Sequence, residues 1–163
     1  MKQNLDLNPT AEKILNIALR LILGGVFIFA GALKIYEPGK FAQDIGNYRI
    51  VPHDLINLFA ITLPWVEVLA GLFLIFGIWL KASAVVVLGM TVMFFVAISS
   101  ALARGLNIEC GCFGTVGARR IGLTSLAFDT ALLGMALWLT WLGQGPRKDS
   151  NAHEMNEALD RGL

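Results

Sequence analysis

Apolar residues in this chain fall into four long blocks, and the polar residues between them gather into short joints. The blocks run from about Ile14 to Leu33, Leu55 to Leu80, Ala82 to Ala103 and Ile121 to Leu142. Crossing ~30 Å of hydrocarbon takes ~20 apolar residues in a helix, and each block is that long. The third block carries no charge. The second and third meet at Lys81, which predicts a tight antiparallel hairpin. Between the first and second, Lys34 to Asp54 is too polar to lie in lipid. There Phe41, Ile45 and Tyr48 recur at i, i+4, i+7, with Gln43, Asp44 and Asn47 between them. That pattern predicts a short amphipathic helix, entered after Pro38-Gly39 and closed before Pro52, lying in the interface plane or capping a bundle. The expected fold is all-α: an integral membrane four-helix bundle over residues 14–142, with a short amphipathic helix in its first extracytoplasmic loop. Residues 1–13 form an N-terminal tail. Residues 143–163 form a polar C-terminal tail, with a short helix from His153 to Leu159.

Composition agrees with the pattern. The 163 residues are 56% hydrophobic and 15% charged, against about 25% charged in ordinary soluble domains. A soluble globule of this size cannot hide so much apolar surface, whereas a bilayer can. A net charge of +1 gives no electrostatic case for nucleic acid or for an acidic partner. The first block, with Lys13 and Arg20 ahead of Leu21–Phe29 and then Ala30-Gly31-Ala32, also has the outline of a secretory signal. Arg20 interrupts the apolar run, which suits a retained helix better. Glycines recur inside the blocks, and small residues let helix backbones approach closely in lipid.

An even number of spans puts both termini on one side and the two larger loops on the other. Six basic residues fall on each side, with Arg20 inside a span, so the positive-inside rule gives no orientation. We expect cytoplasmic termini, because the opposite loop contains the chain's two cysteines and an oxidising compartment would let them bridge.

Those cysteines lie in Glu109-Cys110-Gly111-Cys112-Phe113-Gly114, between the third and fourth blocks. Residues two apart span at most ~7 Å, and a disulfide wants Cα atoms nearer ~5.5 Å. Cys110 and Cys112 can therefore bridge only if the chain turns sharply at Gly111, a residue that permits such a turn. The small ring would be strained and more easily reduced than a structural disulfide. Arg104, Arg119 and Arg120 would favour a thiolate, and Glu109 would oppose it. Two loop cysteines with no role are the bland alternative. Zinc is disfavoured, since it wants four ligands and His53 is the single histidine on that side. Two thiolates still suit Cu(I).

Three charges sit inside the blocks: Arg20, Glu67 and Asp129. Each would cost ~2.5–3.5 kcal/mol alone at mid-bilayer, so each should face the interior and find a partner. The expected arrangement places Arg20 between the two carboxylates, with Pro64 freeing a carbonyl and kinking the span one turn before Glu67. Such a cluster is either an ion pair that locks helix register or a proton path or quinone contact. The aromatic pairs Phe94-Phe95 and Trp138/Trp141 read as packing or interface anchors.

Arg20 with Leu23-Gly24, Phe27, Ala30-Gly31 and Lys34 resembles the opening span of the DoxX-like membrane proteins. Phe41-Ala42, Tyr48-Arg49, Pro52, Pro64-Trp65, Glu67 and Gly71 are similar to the MauE-like branch of that superfamily, associated with methylamine utilisation. Arg104-Gly105, Ile108 and Cys110-Gly111-Cys112-Phe113-Gly114 resemble the same branch, and the likeness covers about Leu15 to Leu142. The resemblance implies a multi-pass protein of the bacterial inner membrane, linked to disulfide formation during maturation of an exported amine dehydrogenase subunit. The layout also resembles vitamin K epoxide reductase-like enzymes, but with Cys-Gly-Cys in place of Cys-x-x-Cys and no second pair in the capping loop. On these grounds we expect a redox accessory protein in which Cys110 and Cys112 exchange with a thioredoxin-like partner or an exported client, with a quinone as the cofactor to consider. The rival expectation is a non-enzymatic transporter or scaffold that uses Arg20, Glu67 and Asp129 to hold a ligand or subunit.

Overall fold

A computed structural model describes residues 9–106, 108 and 122–142. Its elements are α1 (Pro9–Tyr36), α2 (Pro38–Tyr48), α3 (His53–Phe76), α4 (Leu80–Ala103) and α5 (Leu123–Leu137), the last continued by a π-helical turn, Trp138–Leu142. The architecture is the expected all-α membrane bundle. Four helices are long and apolar enough to cross a bilayer: Thr10–Tyr36, His53–Phe76, Leu80–Ala103 and Leu123–Trp141. At ~1.5 Å per residue, a 24-residue helix such as α3 reaches ~36 Å, enough to span hydrocarbon with some tilt.

Local chemistry sets the element ends. Pro38 has no N–H to continue α1, and Glu37 before it leaves the helical region at φ −125° and ψ 66°. The chain breaks there and restarts as α2, with Phe41 N–H donating to Glu37 O at 3.1 Å. α2 closes on Arg49 in the left-handed region. α3 ends at Gly77, φ +71°, where the N–H groups of Gly77 and Ile78 both reach Phe73 O. The α3–α4 hairpin therefore turns over residues 77–79, a few positions before Lys81. Pro64 lies inside α3, which runs on continuously through it.

Burial is inverted relative to a soluble domain. Ile14, Ile17, Leu21, Ile61, Trp65 and Val96 are more than half exposed, while Asn16, Lys34, Asp44, Glu67, Ser83, Thr91 and Asp129 are buried. An apolar solvent explains both halves of that pattern. The central core joins Leu23, Phe27, Ala70, Leu74, Val87, Leu132, Ala136 and Leu139, so four long helices all contribute to it.

α1 and α3 form the most extensive interface, followed by α4 and α5. The α1–α3 seam is closed by small residues. A Cβ on Gly24 would stand 2.8 Å from Gly71 O, and one on Gly71 would stand 2.7 Å from Gly24 O. A Cβ on Gly31 would meet Pro64 O at 2.8 Å. These glycines set an antiparallel register, with Gly24 opposite Gly71 and Gly31 opposite Pro64 and Glu67. By contrast, Gly25, Gly89 and Gly134 have nothing within 4 Å of an added Cβ. We predict that Gly71→Ala destabilises the protein by ~1–3 kcal/mol through forced separation of the helices. Gly25→Ala should stay within ~0.5 kcal/mol of the parent. Reversible unfolding in mixed micelles measures both.

Candidate functional site

α1 runs three residues beyond the predicted first block to Tyr36, and Lys34 belongs to it rather than to a loop. Lys34 continues the buried stripe Leu23, Phe27, Ala30, whose spacing alternates four and three residues. The α1–α3 register brings it opposite Glu67. Lys34 Nζ donates to Glu67 Oε1 at 2.5 Å, with both side chains only 2% exposed. Phe41 of α2 and Phe94 of α4 present their rings to the ammonium, with centroids at 5.0 and 4.6 Å. Such contacts favour a desolvated cation. Asp129 of α5 is also buried, within electrostatic reach of Lys34. Each of the five helices thus contributes one residue to a single centre: Lys34, Phe41, Glu67, Phe94 and Asp129.

The centre corrects the expected arrangement of charges. Glu67 and Asp129 do gather around a common cation, but that cation is Lys34 and not Arg20. Arg20 lies level with Gly77, where an added Cβ would stand 3.8 Å from its Nη1. Ten residues of α3 separate Gly77 from Glu67, or ~15 Å at ~1.5 Å per residue, beyond the reach of the guanidinium. The stripe Leu23–Phe27–Ala30–Lys34 was the available sequence signal for Lys34. It was obscured by ending the first span at the first charge after the apolar run.

Hydrogen bonding in the centre is incomplete. Glu67 Oε2 and Asp129 Oδ2 are buried with no donor among the described residues. At the other end of the bundle, Arg20 Nε and Trp138 Nε1 are buried without an acceptor among the described residues. Among the described residues no group of three His, Cys, Asp or Glu side chains could hold a metal ion.

α2 caps one end of the bundle, with Phe41 and Asp44 on its buried side. The pattern had set Asp44 among the polar positions of an amphipathic helix; it turns inward instead. Between α2 and the start of α3 lies an open cleft of ≈ 410 Å³, lined by Gln43, Asn47, His53 and Asn57 among others. Arg104, just past α4, donates from Nη2 to Tyr48 O at 2.5 Å and from Nε to Ser100 O at 3.2 Å. The connection from α4 to α5 therefore leaves from the end that α2 covers. Cys110 and Cys112 belong to that connection but lie outside the described residues, as do the tails 1–8 and 143–163.

Four membrane-length helices around a buried, charged centre define a multi-pass membrane protein. The chain belongs to the family described as methylamine utilisation protein MauE, whose profile matches residues 12–142. It is similar to the methylamine utilization protein MauE of Methylophilus methylotrophus, 28% identical over 134 residues that make up 81% of this chain and 68% of the relative. The protein of the same name from Methylorubrum extorquens is 28% identical over 133 residues, 81% of this chain and 72% of the relative. That of Paracoccus denitrificans is 29% identical over 97 residues, 59% and 52% of the two chains. No solved structure matches.

Removing one partner of a buried pair leaves the other charge uncompensated. Lys34→Met should therefore cost ~3–5 kcal/mol, and the double variant Lys34→Met/Glu67→Gln should recover much of that loss. Arg20→Met should cost clearly less than Lys34→Met, because it strands no carboxylate. Unfolding of the four proteins in the same micelles checks the ranking.

Proposed function

We propose that the protein is a redox accessory of the inner membrane, in which Cys110 and Cys112 carry out thiol–disulfide exchange during maturation of an exported protein of methylamine utilisation. In this reading it is a DoxX-like superfamily member with cytoplasmic termini and an extracytoplasmic cysteine loop. The supporting observation is the union of family membership with position: the family match spans the whole bundle and the cysteine connection, and Arg104 ties the root of that connection to the α2 cap.

In the exchange, a thiolate of the reduced pair attacks a disulfide of a thioredoxin-like partner or client, and the partner's other sulfur leaves as a thiolate. The second cysteine then attacks the mixed disulfide, so the pair ends oxidised and the partner ends as a dithiol. Run in reverse, the same steps pass a disulfide outward. Cys112, nearer α5, is the natural partner of an acceptor on the membrane side. A quinone, when bound, supplies two-electron acceptor chemistry. The protein's own contribution there is a proton path through the buried carboxylates of Glu67 and Asp129.

A second reading, a transporter or scaffold without redox chemistry, draws on the same buried charges and leaves the thiols unused. Two measurements separate the readings. Membrane-impermeant alkylation of intact spheroplasts should label both cysteines only after a reductant is added. Cys112→Ser should trap a mixed disulfide through Cys110. Cysteines that stay reduced and protected from the outside, with no trapped partner, would exclude the redox reading.

A further inference from the structure

The buried centre holds one cation against two carboxylates. Lys34 meets the first directly: its ammonium bonds Glu67 Oε1 and sits between the Phe41 and Phe94 rings. Asp129 has no such bond. It is 94% buried, its Oδ2 receives no hydrogen among the described residues, and the nearby cation is already committed to Glu67. A bare carboxylate in such a place costs several kcal/mol, whereas a carboxylic acid supplies its own donor and no charge.

We propose that Asp129 is an exchangeable proton-binding site in the membrane, with the ammonium of Lys34 as its nearby cation. The chemistry is a proton transfer alone: the acid form gives carboxylate and H⁺, and no electron moves. Lys34 makes the charged form accessible, because its long stem brings the ammonium within electrostatic reach of either carboxylate. Asp129 is six residues into α5, so ~9 Å of helix separates it from the start of the helix, where the cysteine connection enters. A proton released toward that end has the shortest way to water.

Each neighbouring helix brings its own groups to this end of the bundle. α1 brings Lys34, and α3 brings Glu67. α2 brings Asp44, on the same buried side as Phe41 and with interactions of its own. α4 brings Phe94 and Thr91, whose hydroxyl donates to Val87 O at 2.8 Å. Asp129 has a buried unbonded oxygen and, among the described residues, no bonded cation.

The inference rests on the proton-path part of the proposed function and not on thiol exchange. Infrared spectroscopy of the full-length protein in lipid nanodiscs, followed from neutral to mildly acidic pH, tests it. We expect a carbonyl-stretch band from a protonated carboxylic acid that shifts when aspartate is ¹³C-labelled and again on transfer to D₂O. The band should vanish in Asp129→Asn and persist in Asp44→Asn. It should also fade in Glu67→Gln, where the freed ammonium of Lys34 turns to Asp129 and stabilises its carboxylate. Isotope labelling needs no substitution, so a variant that fails to fold leaves the test intact. Absence of the band, a response to ¹³C-glutamate alone, survival in Asp129→Asn, or no response to D₂O would overturn the proposal. The same band is expected in Cys110→Ser/Cys112→Ser, so failure of the thiol reading would leave this one standing.

Discussion

The bundle is organised around a desolvated ion pair. Lys34 and Glu67 are separated by 33 positions in the chain, yet they meet at 2.5 Å in a place almost closed to solvent. Neither charge is tolerable there alone, so α1 and α3 must come together in one register or both side chains lose their partner. The glycines enforce that register sterically. Gly24 and Gly71 bring backbones into contact, and Gly31 seats against Pro64 and Glu67, one turn from Lys34. Steric fit and charge pairing therefore select the same alignment, and each makes the other more specific.

From that pair the remaining elements take their places. The ammonium needs faces to lie against, and α2 and α4 supply Phe41 and Phe94. α2 is consequently a cap folded onto the bundle, and its contacts run chiefly to α3. α5 packs on α4 and brings Asp129 toward the same cation. Dispersion between Leu23, Leu74, Val87, Ala136 and Leu139 fills the space below. In lipid these apolar contacts gain nothing from water exclusion, so close fit and buried polarity must supply the specificity. A structural anchor and a proton site are compatible here, because the ammonium bonds one oxygen of Glu67, while Asp129 keeps a buried unbonded oxygen and has no bonded cation among the described residues.

Much of the fold was legible in the residues. The four spans, the α3–α4 hairpin and the short helix after Pro38 follow from apolar run length, glycine and proline placement and a 3.6-residue period, all of them local signals. Glu67 and Asp129 were also legible as inward-facing, because a carboxylate in an apolar run has nowhere else to go. Their cation was not. Lys34 looked like the first residue of a loop, and Arg20 looked like the partner because it sat inside the apolar block. The inward turn of Asp44 was hidden for a related reason: a polar residue on a short helix is read as solvated until something covers it.

What the amino-acid sequence determined alone is the solvent this protein lives in, the number of times the chain crosses it, and the residue types that lipid would force inward. Those are properties of single segments, fixed by how many consecutive side chains can sit in hydrocarbon. Only the tertiary structure decided which charge answers which, since that depends on the antiparallel alignment of helices distant in the chain. A shift of a few residues along the glycine seam would have offered Glu67 a different neighbour. Close backbone contact at Gly24, Gly31 and Gly71 removes that freedom, and so the partner is Lys34.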